Sequence, residues 1–408
     1  MKVLLCFLFG TFTVSNAFTV SQGFSRSARA AGRGQVSMAA DLSIESCGMK
    51  FPNPFVIGSG PPGTNYRTIK RCFDAGWGGV VAKTVSLTDN PVVNVAPRYG
   101  QHRFLTKDGG KKGDTIGFTN IELISDRPLE DWLEEFKKLK AEYPDRILIA
   151  SIMEQYNKDR WQELTEKISK TGVDGFELNF SCPHGHPECN MGAAMGQNPA
   201  MVEEVTGWVT EATDLPVWAK MTPNVADIRP PARAAFRAGA KGVAAINTIL
   251  SCTGVDLKTL RPIPTVEGYA TYGGYSYAAV KPIALRMVSE LARDEAVGEI
   301  SGIGGVAKAS DAIEHILLGA STVQACTGPM LQGHEMVQDL IVGLEAFMEE
   351  KGFKTVREFV GAALPYFTTH HDLADRQREA KKAKAGETNT DLQWGEDLTS
   401  VTSDLTTN

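Results

Sequence analysis

The sequence is poor in cysteine, and its cysteines follow no metal-binding or disulfide pattern. Only 7 of its 408 residues are Cys, an odd number, and no two of them have C-x-x-C spacing. This excludes the disulfide framework of a small secreted domain and the usual zinc and iron–sulfur signatures. We therefore expect a protein of a reducing compartment.

The sequence also lacks an excess of basic residues. Its 42 Lys and Arg against 48 Asp and Glu give a formal net charge of −6. Because phosphate neutralisation needs clustered Lys and Arg, we expect no nucleic acid partner. With 42% hydrophobic and 22% charged residues, the composition is that of a globular protein with a large core.

The first 40 residues contain no Asp or Glu. The apolar run Val3–Val14 is shorter than the ~20 residues that span a bilayer, and it precedes the small residues Ser15–Ala17, which suit a signal peptidase. The Ser-, Arg- and Ala-rich stretch after them is typical of an organelle transit peptide. Residues 1–40 thus resemble the bipartite leader of complex plastids, with Phe18 starting the transit part. The alternatives are simple secretion and a disordered start of a cytoplasmic protein.

From Asp41 onward, short apolar runs alternate eight times with amphipathic segments. The predicted strands are Pro54–Gly58, Gly79–Lys83, Ile147–Met153, Gly175–Phe180, Val217–Met221, Gly242–Asn247, Glu299–Ile303 and Thr322–Cys326. The predicted helices lie at about 66–75, 129–140, 159–171, 200–212, 227–239, 280–292, 308–319 and 334–351. Continuously apolar strands indicate a parallel sheet that is buried on both faces. We predict an α/β fold, a TIM (β/α)8 barrel over residues 41–353, with an open doubly wound sheet as the alternative.

Two connections are longer than usual, at residues 84–128 and 248–279. Long loops in this fold are often functional, so we predict that they form a lid over the top face. Residues 354–408 form a polar C-terminal extension without apolar periodicity, and we expect most of it to be disordered after about residue 370.

Polar or small residues follow the strands at the end where a TIM barrel builds its active site. They are Ser59, Lys83, Thr84, Asn179, Lys220, Asn247, Thr248, Gly304, Gly305, Cys326, Thr327 and Gly328. A cation or amide that ends a buried strand needs a partner to offset its desolvation, so the set predicts a polar ligand. The glycine-rich ends of strands seven and eight are the usual phosphate site of this fold, which indicates a phosphate-bearing cofactor.

The loop after the fourth strand contains Cys182, His184, His186 and Cys189. Structural zinc sites usually combine two separate ligand pairs, and the other close pair, His370-His371, begins the polar tail, so we predict no metal. A thiol with a pKa near 8.5 can transfer a proton, which makes Cys182 a candidate acid or base. A buried structural cysteine is the alternative, and His184 could orient the loop or tune the thiol.

These residues stand in segments that resemble the flavin- and pyrimidine-binding barrel of dihydropyrimidine dehydrogenase, within the wider dihydroorotate dehydrogenase family. The resemblance runs from about Leu42 to about Gly352. Its most specific segments are NPFVIGSGPPGT, AGWGGVVAKT, NIELIS, LIASIM, ELNFSCPHG, MGQNP, AKMTPNVADI, AINT, TYGG, KPIALR and GIGG.

The resemblance implies a flavin site and a pyrimidine site. Carried over by position, FMN is bound by Ser59, Lys83, Thr84, Lys220, Ile303, Gly304, Gly305, Cys326 and Thr327. The substrate is bound by Asn120, Asn179, Phe180, Ser181, Asn247 and Thr248. The implied reaction moves a hydride between flavin N5 and C6 of uracil or thymine, while Cys182 protonates C5, and the reverse oxidises a dihydropyrimidine.

The sequence departs from the family at two points. Tyr277 stands where the family usually has Gly, near the flavin phosphate, which puts the local geometry in doubt. We identify no C-x-x-C-x-x-C run and expect no dinucleotide-binding fingerprint, so we expect that this chain does not take hydride from NADPH by the family's full route. We expect either a separate electron-transfer protein or a diffusible acceptor.

Other hypotheses remain open at this point. The chain could be a dihydroorotate dehydrogenase of pyrimidine synthesis, which would need a cation such as Lys83 for the substrate carboxylate. It could also be a flavin-binding assembly subunit without catalysis, although Cys182 and the three Asn residues speak against that. A homodimer is possible, because the family commonly forms dimers.

Overall fold

The computed structural model describes residues 40–87, 92–105, 112–180 and 192–383. Its strands, in chain order, are β1 (Ile44–Ser46), β2 (Met49–Phe51), β3 (Phe55–Ile57), β4 (Gly79–Val81), β5 (Tyr99–Leu105), β6 (Lys112–Asn120), β7 (Ile147–Ile152), β8 (Gly175–Asn179), β9 (Val217–Lys220), β10 (Gly242–Ala245), β11 (Ile249–Ser251), β12 (Val255–Asp256), β13 (Arg261–Pro262), β14 (Gly273–Ser276), β15 (Glu299–Ile303) and β16 (Thr322–Ala325). Its α-helices are α1 (Tyr66–Ala75), α2 (Leu129–Glu142), α3 (Lys158–Ser169), α4 (Ala193–Gly196), α5 (Pro199–Ala212), α6 (Arg229–Arg237), α7 (Lys281–Ala292), α8 (Ala309–Leu317), α9 (Thr327–Gln332), α10 (Met336–Lys351) and α11 (His370–Ala383).

Eight of these strands form a closed parallel barrel in the order β3, β4, β7, β8, β9, β10, β15 and β16. The barrel closes where β16 pairs with β3, with Val323 opposite Phe55. Each barrel strand lies within one of the eight predicted segments, and each of the eight predicted helices is present. The predicted TIM barrel is confirmed, and the open doubly wound sheet is wrong because the sheet has no edge.

Burial explains why these segments form strands and helices. All six residues of β7 are buried, as a strand covered on both faces requires. On α2, the buried residues Trp132, Phe136 and Leu139 form one face, while the opposite face is charged. Burial of each such side chain contributes about 1.5–3 kcal/mol, so the apolar periodicity fixes which face of each helix meets the sheet.

The hairpin of β1 and β2 closes the N-terminal end of the barrel. Its residues Cys47, Met49 and Phe51 lie against Gly242, Gly175 and Gly79, the first residues of three barrel strands. Phe51 also stacks on Trp218, with 6.2 Å between ring centroids. Because this end is filled, the opposite end is where a ligand can enter.

The two long connections meet in one four-stranded antiparallel sheet, in the order β11, β14, β6 and β5. The pairing places Asn120 opposite Gly274 and Ile249 opposite Tyr275. The predicted lid is therefore confirmed, and it is a sheet rather than two independent loops. A second hairpin, of β12 and β13, extends from it.

The chain after the barrel is more ordered than we expected. Val356 and Phe359 are completely buried, and Phe359 packs edge-on against Phe347 of α10, so the packed unit extends past residue 353. Helix α11 covers residues for which we expected disorder. Its ion pairs between residues one helical turn apart, such as Arg376 with Asp372 at 2.5 Å, stabilise a helix that lacks an apolar face.

Among the described residues, no helix has the length and hydropathy that a bilayer crossing requires.

Candidate active site

An open cleft of about 1100 Å³, counted with its mouth, lies at the C-terminal ends of the barrel strands and under the lid sheet. All nine predicted cofactor residues line it: Ser59, Lys83, Thr84, Lys220, Ile303, Gly304, Gly305, Cys326 and Thr327. The barrel ends bring these residues together from five strands, β3, β4, β9, β15 and β16. That convergence is the geometry of a ligand site in this fold.

Four of the six predicted substrate residues line the same cleft: Asn120, Asn179, Asn247 and Thr248. Phe180 does not line it, because its side chain is completely buried and packs on Trp161 at 6.3 Å between ring centroids. The sequence does not show whether the side chain of Phe180 points to the cleft or to the core, since Phe180 directly follows the strand. Ser181 lies outside the described residues.

The candidate acid Cys182 also lies outside the described residues, as do His184, His186 and Cys189. Among the residues that the structure describes, no group of three His, Cys, Asp or Glu side chains is arranged to hold a metal ion. The expected absence of a metal therefore stays a prediction.

Hydroxyl and amide groups form a hydrogen-bonded chain along one wall of the cleft. Ser59 Oγ donates to the carbonyl of Ala82 at 2.9 Å and lies 3.2 Å from Thr84 Oγ1. Thr84 Oγ1 lies 2.8 Å from Ser151 Oγ and accepts from Asn179 Nδ2 at 3.0 Å. Because each group has a partner that follows or lies on another strand, the wall presents Asn179 in a fixed orientation.

Lys83 is paired with a carboxylate that the sequence analysis did not identify. Its ammonium lies 2.7 Å from Glu122 Oε1, and the two side chains are only 6% and 8% exposed. Arg98 Nε approaches the same oxygen at 3.1 Å. Glu122 lines the cleft two residues after β6, within the NIELIS segment, which was the available signal. The charge of Lys83 is therefore compensated within the protein.

Lys220 is paired deeper in the barrel. Its ammonium lies 3.2 Å from Glu177 Oε1, and both side chains are buried. Gln324 Nε2 donates to the other oxygen of Glu177 at 2.9 Å, while Gln324 Oε1 is a buried acceptor without a partner among the described residues. We missed Glu177 and Gln324 because both lie inside apolar strand segments. The strand-end residues that we considered, Asn179 and Cys326, come two positions later.

The turn after β15 gives the backbone an unusual shape. Gly304 and Gly305 have φ angles of 130° and 81°, which residues that carry a Cβ rarely adopt. A Cβ on Gly305 would lie 2.6 Å from Cα of Lys281. The carbonyl of Gly304 lies 3.0 Å from Nε2 of the buried His315, and this hydrogen bond stabilises the turn. The backbone of this turn can therefore approach an anion closely.

The segment Gly58–Gly63 reads GSGPPG, which has the glycine spacing of a dinucleotide-binding fingerprint. Our expectation that the sequence has no such fingerprint was wrong for the spacing, and the structure shows that this turn follows the barrel strand β3. A Cβ on Gly60 would lie 2.5 Å from Cys326 Sγ, so the glycines serve packing inside the barrel.

Aromatic side chains from the lid sheet form the roof of the cleft. Tyr99, Phe118 and Tyr275 line it, and Tyr99 packs on Phe118 at 5.4 Å between ring centroids. Tyr277 also lines the cleft and has a φ angle of 76°, a conformation that favours glycine. This backbone conformation is consistent with the Gly that the resemblance implies at this position.

Cys326 lines the cleft as a neutral thiol. Burial raises its pKa to about 11, so at neutral pH it carries no negative charge. The same cause raises the pKa of the buried Cys72 to about 12. A thiol of this kind packs against a ligand but is a poor nucleophile.

Comparison with known proteins agrees with this architecture. Residues 41–348 match the model of the dihydroorotate dehydrogenase family. The chain belongs to this family. It is 56% identical over 365 residues to the chloroplastic dihydropyrimidine dehydrogenase (NADP(+)) of Arabidopsis thaliana, which covers 87% of this chain and 85% of that protein.

Two further relatives are named as subunits. The NAD-dependent dihydropyrimidine dehydrogenase subunit PreA of Escherichia coli (strain K12) is 43% identical over 341 residues, or 82% of this chain and 80% of that protein. The catalytic subunit of dihydroorotate dehydrogenase B (NAD(+)) of Pyrococcus abyssi is 36% identical over 328 residues, or 79% and 99%. The resemblance to dihydropyrimidine dehydrogenase within the dihydroorotate dehydrogenase family is thus confirmed.

Proposed function

We propose that this chain is an FMN-dependent oxidoreductase that acts on the C5–C6 bond of a pyrimidine, reducing uracil or thymine to the 5,6-dihydro form or catalysing the reverse. The observation that carries the proposal is that Asn120, Asn179 and Asn247 share one cleft with the Gly304–Gly305 turn. Amides suit the alternating N–H and C=O edges of a pyrimidine, and the turn suits a phosphate. Enzymes of this family are flavin-dependent.

The residues present fit FMN. The Gly304–Gly305 turn and the hydroxyl of Thr327, which lies 2.9 Å from Ser276 Oγ, suit the phosphate end. The unpartnered Gln324 Oε1 is an acceptor that suits a ring N–H, and Lys220 is a cation that suits a ring that gains electrons. When bound, FMN supplies the hydride chemistry.

The chain's own residues orient the substrate and exclude water. Asn179 is held by Thr84, and Asn120 is held by the lid sheet, where its Nδ2 donates to the carbonyl of Gly274 at 3.2 Å. Tyr275 and Phe118 cover the cleft. Cys182 is the proposed acid that delivers a proton to C5 of the pyrimidine.

The charges of the cleft favour an uncharged pyrimidine over dihydroorotate. Each Lys that lines the described part of the cleft already has a carboxylate partner, Glu122 for Lys83 and Glu177 for Lys220. A substrate carboxylate would compete with Glu122 for the same cation, which costs binding energy. Uracil and thymine make no such demand.

We further propose a separate electron-transfer protein as the partner. The sequence has no iron–sulfur pattern, and two relatives are named as subunits of NAD-dependent enzymes.

We also propose plastid import through residues 1–40, supported by their acid-free composition and by the chloroplastic relative. A fusion of residues 1–40 to a fluorescent protein should accumulate in plastids of an algal host, and fluorescence in the secretory pathway or cytoplasm would contradict this.

The catalytic proposal is tested with the purified chain. We expect flavin absorbance, released as FMN on denaturation, and anaerobic bleaching by dihydrouracil or dihydrothymine. Bleaching by dihydroorotate alone would overturn the substrate assignment. Protein that stays colourless after FMN addition would overturn the redox function as a whole.

A further inference from the structure

Glu177 is a buried carboxylate for which the proposed reaction has no direct use. It lies two residues before the end of β8 and has no exposed surface. Residues two apart on a strand face the same side, so Glu177 points into the barrel below Asn179. It does not line the cleft itself, whereas its partner Lys220 does.

Two contacts connect Glu177 to the floor of the cleft, and a third orients one of its two donors. Lys220 donates to Oε1 at 3.2 Å, and Gln324 donates to Oε2 at 2.9 Å. Gln324 also donates to Ser301 Oγ at 3.2 Å. Each oxygen of the carboxylate thus has one donor, and the two donors come from strands on either side of the barrel.

A buried carboxylate is costly unless its charge is compensated, and so is a buried ammonium. Each of these two groups therefore depends on the other, because removal of one leaves an unpaired charge in the interior. The carboxylate fixes the ammonium of Lys220 at the cleft and at the same time makes the charge of the pair zero. A ligand above Lys220 experiences a weaker positive field than a lone Lys would produce.

We propose that Glu177 is a positioning residue that holds Lys220 at the cleft where FMN would bind, and that it would lower the flavin reduction potential by compensating the charge of this Lys. This inference rests on the proposed function, because it requires FMN in the cleft. Reduction adds negative charge to the flavin, which a lone Lys220 would stabilise more strongly than the neutral pair does. The pair therefore keeps the reduced flavin a stronger hydride donor.

The test compares the wild-type chain with Glu177→Gln, both loaded with FMN, by equilibrium titration against redox dyes. We expect Glu177→Gln to favour reduced over oxidised flavin by tenfold or more, which is a rise of about 30 mV for a two-electron couple. The FMN dissociation constant should also increase several-fold, because the ammonium of Lys220 is no longer held. An unchanged or lower potential would overturn the inference.

Glu154→Gln is the matched control. Glu154 is also a buried carboxylate in an ion pair, 2.7 Å from Arg160 Nε, but it does not line the cleft. The Glu154→Gln variant should be less stable than the wild type, but its flavin potential should not change. If its potential rises as much as that of Glu177→Gln, the effect is not specific to Lys220.

Glu177→Asp serves if Glu177→Gln does not fold. It keeps the charge but shortens the reach to Lys220, so FMN affinity should fall several-fold while the potential stays near the wild-type value. Wild-type affinity in Glu177→Asp would overturn the positioning role. A wild-type chain that binds no FMN would overturn the proposed function and this inference together, whereas failure in the variants alone leaves the proposed function intact.

Discussion

Stability should depend on pH through His315, the histidine that supports the Gly304–Gly305 turn. Its side chain is completely buried, Nε2 lies 3.0 Å from the carbonyl of Gly304, and Nδ1 has no partner among the described residues. Burial lowers the pKa of this imidazole below its ordinary value of 6.5. The folded state therefore contains neutral His315 with its proton on Nε2.

The sign of the effect follows from linkage. As pH falls through 6.5 the unfolded chain takes up a proton at His315 more readily than the folded chain does, so folding becomes less favourable. Each pH unit in this range costs at most about 1.4 kcal/mol, which is the limit for one proton that only the unfolded chain binds.

The assay is urea unfolding of the FMN-free protein at pH 7.5, 6.5 and 5.5. His315→Gln should remove this part of the pH dependence, because Gln can donate to the carbonyl of Gly304 but does not titrate. His370→Gln, at an exposed site, should keep it. If His315→Gln loses as much stability between pH 6.5 and 5.5 as the wild type does, the pKa of His315 is not lowered by burial.

Three further substitutions probe the cleft and its support. Gly305→Ala should abolish flavin retention and cost about 1–3 kcal/mol, because a Cβ would lie 2.6 Å from Lys281 Cα at a φ of 81°; flavin absorbance after gel filtration and urea unfolding check this. Cys182→Ala should keep flavin bound but slow turnover by ~10²–10⁴, and full activity would remove this thiol from the mechanism. Glu122→Gln should improve dihydroorotate binding relative to dihydrouracil by tenfold or more, because the anion opposing the substrate carboxylate is gone; an unchanged ratio in anaerobic titrations would contradict the charge argument.

The architecture of the barrel could be predicted from the amino-acid sequence alone. Strands such as Ile147–Ile152 are apolar throughout, and a strand with no polar face has to be covered on both sides. Eight repetitions of this pattern with amphipathic helices leave few topologies, and polar residues such as Lys83 and Asn179 stand out because they interrupt apolar runs. The cleft positions of Lys83 and Asn179 were predictable for the same reason.

The pairing of the charges and the identity of the side chains that face the cleft could not be predicted from the sequence and are known from the folded barrel. Glu122 comes from the lid and Glu177 from inside a strand, and no local pattern relates them to Lys83 and Lys220. Phe180 follows a strand as the cleft residues do, yet it points to the core. Ion pairs and side-chain direction depend on strands that are distant in the sequence and adjacent in the closed barrel, so they arise only when the barrel closes.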